Sequence, residues 1–507
     1  MKIKNIGIKG FRGYADHVQI ESSDLLVLVG KNDVGKSTIL EALDIFFNEG
    51  KGCVKLDRED ISKSNLAAGD EDIEIWVEFE ELPSSIIIDA TNQTTLSDEY
   101  LTTSQGTLKL IKRYPKAGKE KVFIRANHPT ARGCADLLLK KQAELKELLN
   151  ELSIDCNDKT KNSEIRKSIW GAHKTLRLQE IDIEVGKIDA KNIWDQLKSY
   201  MPLYSLFQAD RKNSDSDNEV QDPMRLAVKE ILCDPCIQAE LGRIANTVKN
   251  RLDQVAAQTL LKLNELNPAV ASSLNPQIPD SSSLKWSDVF KSVAITGDND
   301  IPINKRGSGV KRLVLISFFR AEAERRQREA SLPSVVYAIE EPETSQHPDL
   351  QRALIQSLIS LSQVSHTQIM LTTHSPEVVK QLKFENLLLI GGQAASDIKR
   401  VVARELPYPS LNEVNFAAFD ESSFEYHNEL YGYIEEQGLL TAYRAGKTTM
   451  RYNQSSRDGR TIQKEVVLTE YIRHQIHHPE NTHNRRFNDA ELRQSIEDMR
   501  DFIQANP

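Results

Sequence analysis

The sequence predicts an α/β fold: a domain of buried strands and helices split by a helical insertion and followed by a C-terminal helical domain. Three observations predict it. An unbroken apolar run, Leu25 to Val29, leads into Gly30-Lys31-Asn32-Asp33-Val34-Gly35-Lys36-Ser37, and then Ile39, Leu40, Leu43, Phe46 and Phe47 line one helical face. A second apolar run, Val335 to Ile339, ends in Glu340-Glu341-Pro342-Glu343, and a third, Ile369 to Leu371, ends in Thr372-Thr373-His374-Ser375-Pro376. Between the first run and the other two lie helical stripes joined by polar, Pro- and Ser-rich segments.

The glycine-framed loop between a buried strand and a helix is the setting a phosphate-binding loop requires. Gly30 and Gly35 let backbone N–H groups curl around phosphate oxygens, and the positive end of the helix dipole faces the same anion. Gly30, Asn32, Asp33, Gly35, Lys36, Ser37 and Thr38 are therefore the candidate nucleotide contacts. Lys36 can reach the β- and γ-phosphates, and the Ser37 hydroxyl can ligate Mg2+. This chain is expected to bind a nucleoside triphosphate.

At 507 residues the chain is long enough for two or three domains, and 39% hydrophobic residues suffice for real cores. The net charge of −9 means that any nucleic-acid contact must come from a local basic patch. No apolar run reaches the length of a membrane span, so no membrane partner is expected. The N-terminus alternates like a strand rather than a signal peptide, and five cysteines without secretion signals point to a cytoplasmic chain.

In chain order, residues 1–130 form an N-terminal lobe. Ile3, Ile6 and Ile8 precede Gly10-Phe11-Arg12-Gly13-Tyr14, Val18 and Ile20 follow, and Ile73, Ile75, Val77 and Phe79 alternate on one strand face. Leu108 to Tyr114 and Val122 to Ala126 flank Pro115-Lys116-Ala117-Gly118-Lys119 as a hairpin. Its cations, among them Lys112, Arg113, Lys116, Lys119 and Lys121, are opposed locally only by Glu120. They read either as a DNA or RNA phosphate contact or as a solvated sheet face. Residues 131–284 read as a helical, short coiled-coil-like insertion, with Leu138, Leu145, Leu149 and Leu152 on one stripe and Leu241, Ile244, Val248, Leu252 and Val255 on another. Within it, Cys233 and Cys236 read either as half of a zinc site shared across a dimer or as two buried thiols.

The α/β pattern resumes over 285–405. Ser308 and Gly309 open a helix whose N-terminus is a second anion site, and Glu340 closes a strand where it can hold Mg2+. Glu341 is placed to orient or deprotonate an attacking water, and His374 to sense the γ-phosphate from the adjacent strand. Residues at the carboxyl ends of strands in an open sheet are where such folds place their chemistry.

Together these motifs resemble those of ABC-type P-loop ATPase heads of the RecF, SMC, Rad50 and OLD group. Gly10 to Tyr14 is similar to their N-terminal Phe-Arg motif, which adds Arg12 to the nucleotide contacts; Gly30 to Ser37 is similar to Walker A. Ala338 to Pro348 resembles Walker B and the D-loop, and Thr372 to Pro376 the switch-histidine motif. The chain departs from the pattern in three places. Glu340 stands where aspartate is commoner, Arg306-Gly307-Ser308-Gly309-Val310-Lys311 lacks the second glycine and the glutamine of the transporter signature, and Gln208 is the candidate lobe glutamine. The resemblance implies homo-oligomers built from ATP-sandwich dimers, in which the signature helix of one subunit completes its partner's site. Nothing after Gly392 resembles the TOPRIM nuclease of OLD proteins. The domain content is similar instead to TOPRIM-less antiphage ATPases of the Septu, retron and PARIS systems, which implies a separate HNH or TOPRIM effector. The competing readings are a RecF-like DNA-repair ATPase and an ATP-regulated HEPN-like ribonuclease.

The C-terminal segment, 406–507, reads as helices Phe424 to Glu435, Val466 to His477, and a third from Asp489 with Asn488 and Glu491 as a capping box. Arg473 and His478 fit the Arg-x4-His spacing of HEPN ribonucleases. His474 and His478 alternatively suit a metal but lack a third ligand, and a partner-docking helix is the simpler reading. Pro479 predicts a helix end at His478.

Overall fold

The structure, a computed structural model, describes residues 1–506 apart from 51, 90–91, 186–190, 209–227, 229, 267–316, 320, 322–323, 329–332, 345–347, 392–396 and 456–460. In chain order the strands are β1 (Lys2–Lys9), β2 (Val18–Glu21), β3 (Leu25–Val29), β4 (Asp72–Glu80) and a small hairpin of β5 (Ile86–Asp89) and β6 (Asn92–Thr94). They continue with β7 (Leu108–Pro115), β8 (Lys121–Pro129), β9 (Leu178–Glu184), β10 (Leu203–Phe207), β11 (Val335–Glu340) and β12 (Thr367–Thr373). β13 (Leu387–Gly391), β14 (Asp397–Arg400), β15 (Thr449–Ser455) and β16 (Thr461–Val467) follow.

One sheet is antiparallel, in the order β2-β1-β4-β7-β8-β9. The other runs β10-β11-β12-β3-β13-β14, parallel through β13 and closed by the antiparallel edge strand β14. Parallel strands covered on both faces become continuous apolar runs, and every residue of β3 and β12 is buried. Period-two alternation sorts their side chains between two cores. Leu26, Leu28, Val336, Ala338 and Met370 share one core with the helix Lys36–Asn48 and with Ile3, Ile6 and Ile8 of the antiparallel sheet. Val27, Val29, Tyr337, Ile339, Ile369 and Leu371 face the other way, onto Leu354, Ile355 and Leu358 of the helix Pro348–Ser362. The Walker helix is thus held between the two sheets.

The stretch 131–284 differs from the helical insertion expected of it. Gln142–Glu151, Asn162–Ala172 and Pro235–Leu266 are helices, but β9 extends the antiparallel sheet and β10 the parallel one. Leu178-Gln179-Glu180-Ile181-Asp182-Ile183-Glu184 is a charged edge strand with few apolar positions, and five residues of β10 are too short to show a period. Cys233 and Cys236 are both exposed, so they are not the buried thiols of the simpler reading. Among the described residues no helix is long and apolar enough to cross a membrane.

The C-terminal domain contains the three expected helices, Phe424–Glu436, Leu468–His477 and Asp489–Ala505, with the Asn488–Glu491 capping box and His478 as the terminating residue of the second. It also contains the unexpected β15–β16 hairpin, whose polar, exposed strands bury chiefly Tyr452, Val466 and Val467. The helix Leu411–Phe419 joins this domain to the ATPase lobes: Val414 lies in the parallel-sheet core and Phe416 in the C-terminal core. Beside them, buried Glu413 accepts from Arg500 at 2.6 and 2.8 Å and from the Tyr426 hydroxyl.

His427 lies wholly inside this core, with Nε2 3.0 Å from the Ser495 hydroxyl, which donates to Thr469 at 2.8 Å. Burial, helped by the charge of Arg473, pulls the imidazole pKa from 6.5 down to about 4. Protonation is therefore penalised in the folded state, so this stabilising contribution is whole above pH 6.5 and is lost as pH falls toward 4, by up to about 3 kcal/mol. Unfolding free energy measured between those pH values should fall more steeply for wild type than for His427→Gln. Equal slopes would show that His427 does not drive the loss.

Candidate active site

The tips of three adjacent parallel strands bring the predicted residues together. β12 lies between β3 and β11, with Thr373 registered on Val29 and Glu340 on Thr372. Gly30 follows β3, His374 follows β12, and Glu341 follows β11, so all three emerge at one edge of the sheet.

The loop from Gly30 to Gly35 is shaped by sterics as much as by ligand chemistry. A Cβ at Gly30 would stand 2.3 Å from the Ile390 carbonyl oxygen, and Gly35 has φ of 94°, so both positions require glycine. Asp33 also takes a left-handed backbone, with φ of 62°. Lys36 begins the helix; its buried ammonium donates to the carbonyls of Gly30 at 2.8 Å and Lys31 at 2.6 Å. Burial lowers its proton affinity, and the carboxylates of Glu341, Glu343 and Asp33 oppose that. Ser37 and Thr38 follow on the first helical turn, partly exposed, while Asn32 is exposed on the loop. The Ser37 hydroxyl and the Glu340 carboxylate are hard oxygen donors of the kind Mg2+ takes, beside a loop built for phosphate, so the residues fit that ion.

Arg12 has φ of 48° and ion-pairs with Asp60 at 2.7 Å and with Glu41 of the Walker helix. Gln208 Nε2 reaches the same Glu41 at 3.1 Å, so both candidate residues meet on the helix that carries Ser37. Glu341 occupies a left-handed conformation, φ 39°, with its N–H held by the Thr372 carbonyl at 3.1 Å and hydroxyl at 3.2 Å. Such a conformation costs about 1–3 kcal/mol outside glycine and is kept where the surroundings impose it. His374 Nδ1 stands 3.1 Å from Glu341 Oε1, within charge-pairing range but off the line of a hydrogen bond. Ser308 and Gly309 of the signature lie outside the described residues.

Several contacts were not anticipated. Tyr14, beside Arg12, donates its hydroxyl to the Gly35 carbonyl at 3.0 Å and so holds the loop from the antiparallel sheet. Glu343 lies buried beneath His374, and the third acid of Glu-Glu-Pro-Glu was its only sequence signal. Lys31 pairs with Asp420 at 3.2 Å, and Asp420 with Arg493 of the last helix. Asn415 donates to the Pro376 carbonyl at 3.3 Å, tying the segment after His374 to the same joining helix.

The basic hairpin is neutralised at its base, at Lys112 and Arg113, and not at its tip. Lys112 is 1% exposed and pairs with Glu120 at 3.0 Å and Glu49 at 3.4 Å; Arg113 pairs with Glu74 at 2.7 Å and Asp182 at 2.6 Å. Apart from Glu120, the opposing acids sit on neighbouring strands and on the Walker helix end, invisible to a local count of charge. Lys116, Lys119 and Lys121 remain exposed at the turn, Lys116 3.7 Å from Glu71. Arg473 and His478 are each engaged elsewhere. Arg473 pairs with Glu435 at 3.1 Å over the Tyr431 ring, while His478, past the helix end, pairs with Glu480 at 3.2 Å. No group of three or more metal-ligating side chains occurs among the described residues, His474 and His478 included.

Comparison with known proteins finds a match of residues 1–379 to the family described as AAA ATPase domain. The chain is similar to the Old nuclease of Escherichia phage P2, 23% identical over 220 residues that cover 41% of this chain and 36% of that protein. It is also similar to Endonuclease GajA of Bacillus cereus (strain VD045), 21% identical over 406 residues that cover 77% of this chain and 58% of that protein. The chain thus spans less than two thirds of the length of either. Among solved structures, an SMC head bound to the C-winged helix domain of ScpA aligns with TM-score 0.38 and 12% identity, over 79% of this chain and 98% of that one. The SMC head domain from Thermotoga maritima aligns with TM-score 0.31 and 14% identity, over 79% and 100%.

Proposed function

The chain belongs to the AAA ATPase-domain family, and from that premise we propose that it binds ATP with Mg2+ and hydrolyses it to drive a bacterial antiphage complex. One observation carries the hydrolysis: the phosphate loop, Glu340-Glu341 and His374 converge at the ends of three adjacent parallel strands. Backbone N–H groups of the loop and the Lys36 ammonium hold the phosphates; Ser37 and Glu340 would hold the metal, which when bound would supply positive charge against the phosphates. Glu341 takes a proton from the water that attacks the γ-phosphorus, and His374 donates toward the departing phosphoryl oxygens. ADP is the leaving group, and its terminal oxygen keeps the bond electrons. The signature residues Ser308 and Gly309 complete the site of a second copy, so ATP binding assembles a sandwich dimer.

The words nuclease and endonuclease in the relatives' names come to this chain as the proposal that it gates a separate HNH or TOPRIM effector in the cytoplasm. The family match stops at residue 379, before the C-terminal domain, and that domain is where we place effector docking. The Lys31–Asp420–Arg493 chain and the Asn415–Pro376 bond supply the route by which nucleotide state reaches it. Engagement of Arg473 with Glu435 and of His478 with Glu480 favours docking over HEPN-like catalysis. The test is phage plating on cells carrying this gene with its neighbours: protection should vanish with Lys36→Ala, and protection that survives the variant would refute an ATP-driven role.

Nucleic-acid contact, if made by the hairpin, falls to its exposed tip. Reversing charge at Lys119 and Lys121 should weaken DNA or RNA binding and lower the salt slope by about two units, one per phosphate contact. An unchanged slope would make the tip a solvated turn.

A further inference from the structure

Tyr14 touches the phosphate loop from outside it, and its own position is fixed on both sides. Its N–H donates to the Phe11 carbonyl at 2.9 Å, and its carbonyl accepts the Phe11 N–H at 3.1 Å, so the turn is closed twice. The Arg12 N–H donates to the Asp60 carbonyl at 2.7 Å and ties that turn to the short helix Arg58–Asp60. The Tyr14 ring is 1% exposed and shares its core with Ile39, Leu40 and Leu43 of the Walker helix. From there the hydroxyl donates to the Gly35 carbonyl at 3.0 Å. Burial pushes the phenol pKa up, so the hydroxyl keeps the proton it donates.

That bond acts on the N–H of the following residue. Gly35 is the N-cap of the Walker helix and offers no side chain to its first turn, so the Lys36 N–H has no partner within the helix. Among the described residues no other acceptor meets it. The peptide between Gly35 and Lys36 is trans, so its C=O and N–H point in opposite directions. A hydroxyl that holds the carbonyl from the antiparallel sheet therefore turns the N–H the other way, out of the helix N-terminus, where an anion binds.

We propose that Tyr14 is a positioning residue for nucleotide binding: its hydroxyl holds the Gly35 carbonyl so that the Lys36 backbone N–H is aimed at the phosphates. The inference rests on the ATPase reading of this site. Backbone N–H groups of such loops cradle the α- and β-phosphates, which ATP and ADP share. Tyr14 therefore serves binding rather than the hydrolytic step, and its loss belongs in KM. A tyrosine that only fills the core needs its ring and not its hydroxyl, so Tyr14→Phe separates the two roles.

The experiment uses the full chain with Mg2+ and either ATP or ADP. In Tyr14→Phe, KM for ATP and Kd for ADP should each rise about 3-fold to 10-fold, the worth of one neutral hydrogen bond, with kcat within about twofold. Placing 4-aminophenylalanine at position 14 keeps a donor on the same ring carbon and should restore both constants to within about twofold. Unchanged KM in Tyr14→Phe, a loss confined to kcat, or no rescue by the amino group would overturn the proposal. A second readout needs no turnover: 15N spectra of lysine-labelled protein, with the Lys36 amide identified by its loss in Lys36→Arg. Saturating ADP should move that amide proton downfield in wild type, as a new hydrogen bond to phosphate does, and move it less in Tyr14→Phe. Equal shifts would overturn the proposal. So would a wild-type amide that does not move, a result open to measurement even where phenylalanine disturbs the fold. A wild type that binds neither ADP nor ATP would defeat the ATPase reading and the proposal together, whereas binding with unchanged KM in Tyr14→Phe defeats the proposal alone.

Discussion

Lys36→Ala should reduce ATP turnover by at least about 10²–10³-fold, the usual loss for one preorganised donor to a reacting oxyanion. The effect is large because the ammonium is both buried and fixed: it donates to the Gly30 and Lys31 carbonyls and faces the carboxylates of Glu341 and Glu343. No other described cation enters the loop from the helix start, so alanine leaves the β- and γ-phosphates without a fixed positive partner there. Nucleotide affinity should fall together with turnover. Circular dichroism of the variant should match wild type, since Leu25 to Val29 and the helix face of Ile39, Leu40 and Leu43 keep their packing. Hydrolysis at the wild-type rate in Lys36→Ala would mean that the phosphates bind elsewhere.

Glu341→Gln should bind ATP but hydrolyse it about 10²–10⁴-fold more slowly, the contribution typical of a general base or of a residue that orients water. Its backbone argues for a fixed role. The left-handed φ and the two contacts from Thr372 aim the side chain from the strand tip whether or not the carboxylate is charged. The variant should therefore trap ATP, and size-exclusion chromatography should show ATP-bound dimers if Ser308 and Gly309 act across subunits. Loss of ATP affinity, with residual bound ATP hydrolysed normally, would move Glu341 from water activation to metal binding.

What was legible in the sequence follows from the range of the forces involved. The phosphate loop, the apolar parallel strands and the capped C-terminal helices are set by local geometry and by burial period, and each declared itself within a dozen or so residues. The AAA ATPase-domain match and both curated relatives agree with the RecF, SMC and OLD group that these motifs indicated. Charge pairing was not legible. Arg113 meets Glu74 and Asp182, and Lys112 meets Glu49, across strands and a helix end that are remote in the chain. Lys112 and Arg113, which looked unopposed, belong to a salt-bridge network, while Lys116, Lys119 and Lys121 stay exposed at the turn. β9 and β15 were missed for a related reason: edge and hairpin strands with polar faces carry little apolar alternation. Glu343 was visible as a residue type, but its depth beneath His374 depends on the register of β11 against β12.

One composite site, from Gly30 to Ser37 with Glu340, Glu341 and His374, is expected to bind ATP and release its γ-phosphate. Single-turnover phosphate release from γ-labelled ATP by the purified full chain tests it most directly. With Mg2+, wild type should release the label and Glu341→Gln should bind and retain it, while Lys36→Ala should bind little and release none. Release by Lys36→Ala at the wild-type rate, or equal release by wild type and Glu341→Gln, would contradict the claim.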